Sequence, residues 1–315
     1  MHTSLNDPKN TAGSNGDNIP RGIALIVTGL MIVPSIDAIA KHLSGSVSAL
    51  QITWARFLFQ SLLMGVLVMV LHGSRALWPR RPLIHLLRGI LLAIATMIFF
   101  ASLKYLPLAD AIAIFFVQPL ILTLISGWFL GEQVGWPRRI AVCVGFLGAL
   151  IIIQPGGDNF TAAAVMPLAT AVCFATYMAL TRYVAGQDKA ETAQFAAGAG
   201  AFIVLSAIIA VGAIADVAAL KMIKPTLTQW GWLLLLGVIA AGCHLLVVKA
   251  TELAPASVLA PFAYTEFIGS VLLGWLFFND IPSLNTWVGA SVIVASGLYV
   301  FFRETRAHQA SKVPS

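Results

Sequence analysis

The chain has 315 residues, of which 59% are hydrophobic and only 10% charged, with a formal net charge of +6. A soluble domain carries about 25% charged residues, so a water-soluble globule is excluded, and the long continuous apolar runs point to helices rather than to the short alternating strands of a barrel. The positive excess is explained by loop placement without nucleic acid, and Cys143, Cys173 and Cys243 stand alone in apolar stretches as small buried side chains, with no metal spacing or disulfide framework.

Residues 1–19 are rich in Asn, Asp, Gly, Ser and Thr, which predicts a disordered tail and not a signal peptide. Ten apolar runs follow, at 21–41, 48–71, 82–103, 107–130, 137–154, 161–184, 190–213, 228–249, 254–278 and 282–302. Each approaches the roughly 20 residues that cross about 30 Å of hydrocarbon. Pro20, Pro82, Pro107, Pro137 and Pro282 stand near their starts, where a missing amide proton matters least.

The first span carries Asp37 and Lys41 on one helix face. They read either as a local ion pair, with Lys41 snorkelling to the surface, or as a carboxylate that lines a cavity. Asp37 lies about 24 Å along the helix from Arg21, past the midplane but still within hydrocarbon. Arg56 lies about 12 Å into the second span. It is always charged and needs acceptors, so it reads as a structural tie to backbone carbonyls or to Asp37, or as a cavity residue, with Gln51 as a further polar partner. Gln118-Pro119 interrupts the fourth span near its middle, either as a tolerated kink or to turn carbonyls toward a cavity.

Tyr177 in the sixth span and Trp54 in the second stack on a planar solute or pack in the core. His244 in the eighth span is either a proton-exchanging group or a satisfied packing residue. Glu266, beside Tyr264 near the centre of the ninth span, has no basic residue within a turn of its own helix. It reads as a proton-carrying cavity group or as a neutral acid bonded to a neighbouring helix. Gly127, Gly131 and Gly135, like Ala193 and Ala197, recur every fourth residue, a spacing that lets helices approach closely. The connection between the seventh and eighth spans, with Lys221, Lys224 and Pro225, has room for a short surface helix.

Basic residues orient the chain. With the N-terminus in the cytoplasm, fourteen of nineteen Lys and Arg fall on that side, four fall outside (Lys41, Lys104, Lys221 and Lys224) and Arg56 lies within a span. Both termini are therefore expected in the cytoplasm, with residues 304–315 a second polar tail.

Two stretches read alike. KYLPLADAIA from Lys104 leads to Gly127-Trp128 and Glu132, and ELAPASVLA from Glu252 leads to Gly274-Trp275 and Asp280. Gly-Trp recurs after 147 residues and the acid after 148. Each unit holds five spans, and an odd number of crossings inverts the second unit relative to the first, as in secondary transporters with a midplane site between repeats.

ASLKYLPLADA from Ala101, Gln118-Pro119, Leu130-Gly131-Glu132, Arg138-Arg139 and Gly145 to Gly148, followed by APASVLAPFAYTE from Ala254 to Glu266, GWLFFND from Gly274, Gly289 and Gly297, resemble the drug/metabolite transporter superfamily, and within it the EamA-type bacterial permeases. The resemblance covers about residues 20–303. It implies an all-α membrane protein of ten transmembrane helices in two inverted five-helix repeats (20–154 and 161–303) around a central cavity. Members of the family move amino acids, nucleobases, vitamins, sugars and cofactors, some inward and some outward. Arg56 resembles the arginine of the family's second helix, although the seventh span offers it no obvious partner. One departure is that Asn279-Asp280 stands where Gly-Glu is usual.

No HExxH, GxSxG or Walker loop is present, which argues against an enzyme or an ATP-driven pump, and no filter-like segment suggests a channel. The expected function is alternating-access transport of a small organic metabolite, such as an amino acid, nucleobase, vitamin or nucleoside-like cofactor, across the bacterial cytoplasmic membrane. Protons are a candidate coupling ion. No resident cofactor or metal, no nucleic acid and no obligatory oligomer is expected. A passive channel or a non-transporting helical bundle is the rival. The candidate cavity residues are Asp37, Arg56, Gln118, Tyr177, His244, Tyr264 and Glu266.

Overall fold

The computed structural model describes residues 18–129, 135–156 and 161–310, so Gly131-Glu132 and most of the N-terminal tail lie outside the described residues. Twelve helices follow one another: α1 (Ile19–Leu43), α2 (Ala49–His72), α3 (Pro82–Ser102), α4 (Leu108–Phe115), α5 (Gln118–Phe129), α6 (Trp136–Ile153), α7 (Val165–Tyr183), α8 (Ala190–Ile214), α9 (Leu227–Leu253), α10 (Ala256–Leu259), α11 (Thr265–Phe278) and α12 (Leu284–Ala310). Among the described residues they supply ten stretches long and apolar enough to cross a bilayer, because α4 with α5 make one broken span and the 3-10 turn Ala260–Tyr264 with α11 makes another. Ten crossings bring the two ends of the bundle to one face, here the terminal face; the other is the far face.

Local chemistry sets the helix ends. Asn18 Oδ1 accepts the Arg21 N–H, Ser48 Oγ accepts the Gln51 N–H, and Thr226 and Gln229 cap each other reciprocally. Pro20, Pro82 and Pro137 sit in first turns. Asn279 ends α11 with φ 55°, in the left-handed region. Glycine, or next best asparagine, tolerates that conformation, so Asn279 suits the position where glycine is usual.

The packing maps onto itself when the two halves are exchanged. α1 packs on α9 as α7 packs on α3, α2 on α9 as α8 on α3, and α1 on α11 as α7 on α4 and α5. The pairs α2–α8, α4–α11 and α6–α12 are their own counterparts. This exchange is the pattern that two inverted five-span repeats would give, and the halves interlock because α1 and α7 each lie chiefly against the other half. α6 and α12 cross at Gly148 and Gly289, where a Cβ on Gly148 would stand 2.8 Å from the Gly289 carbonyl oxygen; only glycine permits that approach.

Apolar side chains such as Leu62, Val66, Val70, Ile203 and Phe277 are exposed on the outside of the bundle, where hydrocarbon replaces water as the solvent. Ala197 is fully buried against Gly89 of α3. Gly135 instead forms the N-cap of α6 and touches only Pro137, so the fourfold glycine spacing is not a helix contact at that position. Cys143 is exposed, against the expectation of burial, while Cys173 is half-buried and Cys243 buried. The connection between α8 and α9 holds a 3-10 turn, Ala218–Leu220.

Candidate functional site

The polar centre of the bundle is built by α1, α2, α9 and α11. Pro34, buried inside α1, packs on Gly269 of α11. One turn along α1, buried Asp37 comes within electrostatic range of Glu266, which lies in the first turn of α11. α9 presses on α2 at Gly237, where a Cβ would stand 3.4 Å from the Arg56 carbonyl oxygen. Two turns on, α9 carries His244, within range of the Arg56 guanidinium. Asp37 and Arg56 also lie within electrostatic range of each other.

The hydrogen-bonding capacity of this centre is largely unused. Arg56 Nη1 donates to Thr96 Oγ1 at 3.0 Å, and its guanidinium lies 5.2 Å and 5.8 Å from the centroids of Phe57 and Phe100. Arg56 Nε, both amide atoms of Gln60 and His244 Nε2 are buried without a partner among the described residues. Gln60, one turn from Arg56 on α2, is only 1% exposed. A buried polar group left unpaired costs about 1–3 kcal/mol, and such groups normally meet ordered water or a ligand. Four such atoms, on α2 and α9 around the Asp37–Arg56–Glu266 centre, mark it as the candidate solute site.

The two broken spans meet beside it. Phe116 and Tyr264 precede α5 and α11 and touch edge to face, with ring centroids 5.4 Å apart at 86°. Gln118 opens α5 and Glu266 lies in the first turn of α11, so both sit at half-helix N-termini, whose dipoles present partial positive charge toward the breaks. The Tyr264 hydroxyl abuts Gly297 of α12. Paired broken helices in corresponding positions of inverted repeats mark solute sites.

A second polar cluster reaches in from the terminal face. Arg88 is 1% exposed. Its Nη1 donates to His85 Nδ1 at 2.7 Å, its Nε to Thr181 Oγ1 at 3.0 Å and its Nη2 to the Tyr177 hydroxyl at 3.4 Å. Because Arg88 can only donate, it fixes His85 as the tautomer whose Nε2–H is directed at Asp188 Oδ2, 3.2 Å away. The Tyr177 hydroxyl donates to Gln194 Oε1 at 3.4 Å, and Tyr177 also lies within electrostatic range of Arg56. A chain of contacts thus runs from Asp188, beside the terminal face, to Tyr177, within electrostatic range of the polar centre. On the far face, Lys41 Nζ is 2.8 Å from Asp280 Oδ2 and donates to the Leu106 carbonyl at 2.7 Å, while Thr286 donates to Asp110 Oδ1 at 2.8 Å.

The structure brings Asp37, Arg56, His244 and Glu266 together, with Gln118 and Tyr264 at the adjoining helix breaks and Tyr177 at its rim. Several expectations change. Lys41 pairs with Asp280 across the bundle, not with Asp37. Gln51 does not serve Arg56: its amide clasps the backbone N–H and C=O of Ile223 at 3.1 Å and 3.0 Å. Trp54 donates to Ser206 and lies against Phe202 of α8, in the packing role. Arg88, counted among the basic residues at the cytoplasmic side, is inside α3. The ninth span is broken, so Glu266 begins a helix instead of lying midway along one. Gln60, Thr96, His85 and Arg88 escaped the sequence reading. The spacing of Gln60 four residues after Arg56, and of Arg88 three after His85, was the available signal.

Comparison with known proteins gives a concordant result. The description "EamA-like transporter family" matches residues 20–154 and again 161–302. An S-adenosylmethionine uptake transporter of Rickettsia bellii is 26% identical over 286 residues, 91% of this chain and 95% of that protein. A riboflavin transporter of Vibrio cholerae is 32% identical over 225 residues, 70% and 72% of the two chains. A pseudopaline exporter of Pseudomonas aeruginosa is 25% identical over 284 residues, 89% and 95%. A solved crystal structure superposes with a TM-score of 0.58 at 17% identity, covering 91% of this chain and 99% of its own, a likeness of fold alone.

Proposed function

The chain belongs to the EamA-like transporter family, as a multi-pass membrane protein that transports a small metabolite and is not an enzyme, and from that premise we propose that it carries a zwitterionic nucleoside of the S-adenosylmethionine type. The observation that carries this reading is the set of buried unpaired atoms on Arg56, Gln60 and His244, with Asp37 in electrostatic range of both Arg56 and Glu266. Such a solute bears a carboxylate for Arg56, ammonium and sulfonium cations for the two acids, and a purine that stacks on Phe116 and Tyr264. The relatives aligned over 91% of this chain include proteins named for S-adenosylmethionine uptake.

In this reading the terminal face is cytoplasmic, because Arg75, Arg80, Arg81, Arg138 and Arg139 lie there. The chamber opens alternately. The Lys41–Asp280 tie with its Thr286–Asp110 neighbour closes the outer side, and the Asp188–His85–Arg88–Tyr177 chain closes the inner side. Glu266 carries the coupling proton.

Uptake of labelled S-adenosylmethionine into proteoliposomes tests the assignment. Saturable uptake and counterflow are expected, with methionine and adenosine each competing more weakly than the intact solute, since each supplies half of the contacts. Unsaturable flux would favour a pore. A second reading, riboflavin, rests on the 32% identity of the Vibrio cholerae relative. It predicts that riboflavin, a planar molecule without the paired cations, displaces the labelled solute at lower concentration than unlabelled S-adenosylmethionine does.

A further inference from the structure

A pocket of about 210 Å³ lies away from the chamber, at the terminal face, between the α2–α3 connection and the residues that join α7 to α8. Its chief lining residues are His72, Trp78, Arg80, Gln187, Asp188 and Lys189. The first two helix ends belong to one repeat and the last two to the other, so the pocket straddles both.

Its position along the membrane normal can be read from its neighbours. Val70, Leu71 and Leu83, just toward the middle of the bundle, are 77%, 50% and 79% exposed, as side chains that face lipid are. Trp78 stands immediately beyond them and is 82% exposed. Tryptophan with its indole free at that level is an interfacial anchor, so the mouth of the pocket opens at headgroup depth.

The charge in the pocket is available to an outside anion. The two acids are engaged inward: Asp188 accepts the Arg80 backbone N–H at 3.1 Å and 3.3 Å and faces His85, while buried Glu191 lies 3.5 Å from His72 Nε2. Lys189 Nζ lies 3.0 Å from His72 Nδ1, an imidazole nitrogen in place of a carboxylate. Arg80 is exposed, and among the described residues its guanidinium has no partner. Arg75 and Arg81 flank it, the latter donating to the Tyr183 hydroxyl at 3.4 Å.

We propose that this pocket holds the phosphodiester of an anionic membrane phospholipid, between Arg80 and Lys189 with Trp78 at the acyl-chain boundary. Basic pockets between transmembrane helices at headgroup level are suited to that chemistry, and a lipid seated here ties the two repeats together on this face.

The test uses the full-length protein in mild detergent, with short-chain phosphatidylglycerol, short-chain phosphatidylcholine and inorganic phosphate as probes, read by native mass spectrometry and thermal midpoint. Phosphatidylglycerol is expected to bind and to raise the midpoint, and the other two to do neither. Arg80→Gln with Lys189→Gln should weaken retention by about tenfold or more, whereas Arg138→Gln with Arg139→Gln, an equal charge loss elsewhere on the face, should not. Equal binding of phosphatidylcholine, equal stabilisation by inorganic phosphate, or equal loss in both double variants would overturn the proposal. The comparison of probes on the unsubstituted protein decides the matter even if a variant fails to fold.

Discussion

Gln60 shows what the proposed chamber requires of single residues. It is 1% exposed, yet neither amide atom has a partner among the described residues. A side chain selected for stability alone would be apolar there. Gln60→Leu is therefore expected to raise the thermal midpoint by about 2–4 °C, by removing a desolvation cost, while lowering transport. An unchanged uptake rate in that variant would remove Gln60 from the solute's contacts. Glu266 makes the second residue-scale claim. With Glu266→Gln, accumulation driven by a proton gradient should vanish while solute exchange stays measurable, and accumulation at the unsubstituted level would refute proton coupling. Asp37, Arg56, His244 and Glu266 were legible in the sequence because an ionisable group in an apolar run is conspicuous. Gln60 and Thr96 were not, since uncharged polar residues are common in membrane helices. Nor was the partner choice of Lys41, because Asp280 lies 239 positions away and only the fold brings it near.

At the scale of elements, the apolar runs alone placed nearly every helix end within a few residues, and proline marked several of them. The break in the fourth span was visible as Gln118-Pro119. The break in the ninth was not, although Pro261 stands inside its 3-10 turn. Close helix contacts were legible only in part: the Gly148–Gly289 crossing joins two helices from different repeats, and no spacing within either one reveals it. Here the structure makes a sharp prediction. Gly148→Leu places side-chain atoms against Gly289 and should separate α6 from α12, lowering the thermal midpoint steeply, by a few kcal/mol of overpacking. Gly135→Ala, whose Cβ meets only Pro137 Cδ at 3.7 Å, should leave the midpoint within about 0.5 kcal/mol of its starting stability. Equal effects at the two sites would mean that the α6–α12 seam is not tight.

For the whole molecule, the central claim is that two interlocked repeats of opposite sense enclose water-accessible polar groups that lipid does not reach. The near-duplication of 147 to 148 residues points to the repeats, and the exchange pattern of the helix packing is consistent with them. The most direct measurement is thiol accessibility in a background where Cys143, Cys173 and Cys243 are replaced by alanine. Cysteines introduced singly at Gln60 and His244 should react with a membrane-impermeant, water-soluble thiol reagent and be protected by the transported solute. A cysteine at Leu62, 58% exposed on the bundle surface, should stay unreactive in lipid, where no thiolate forms. Silence at both inner positions, or reaction at all three alike, would contradict an enclosed aqueous chamber.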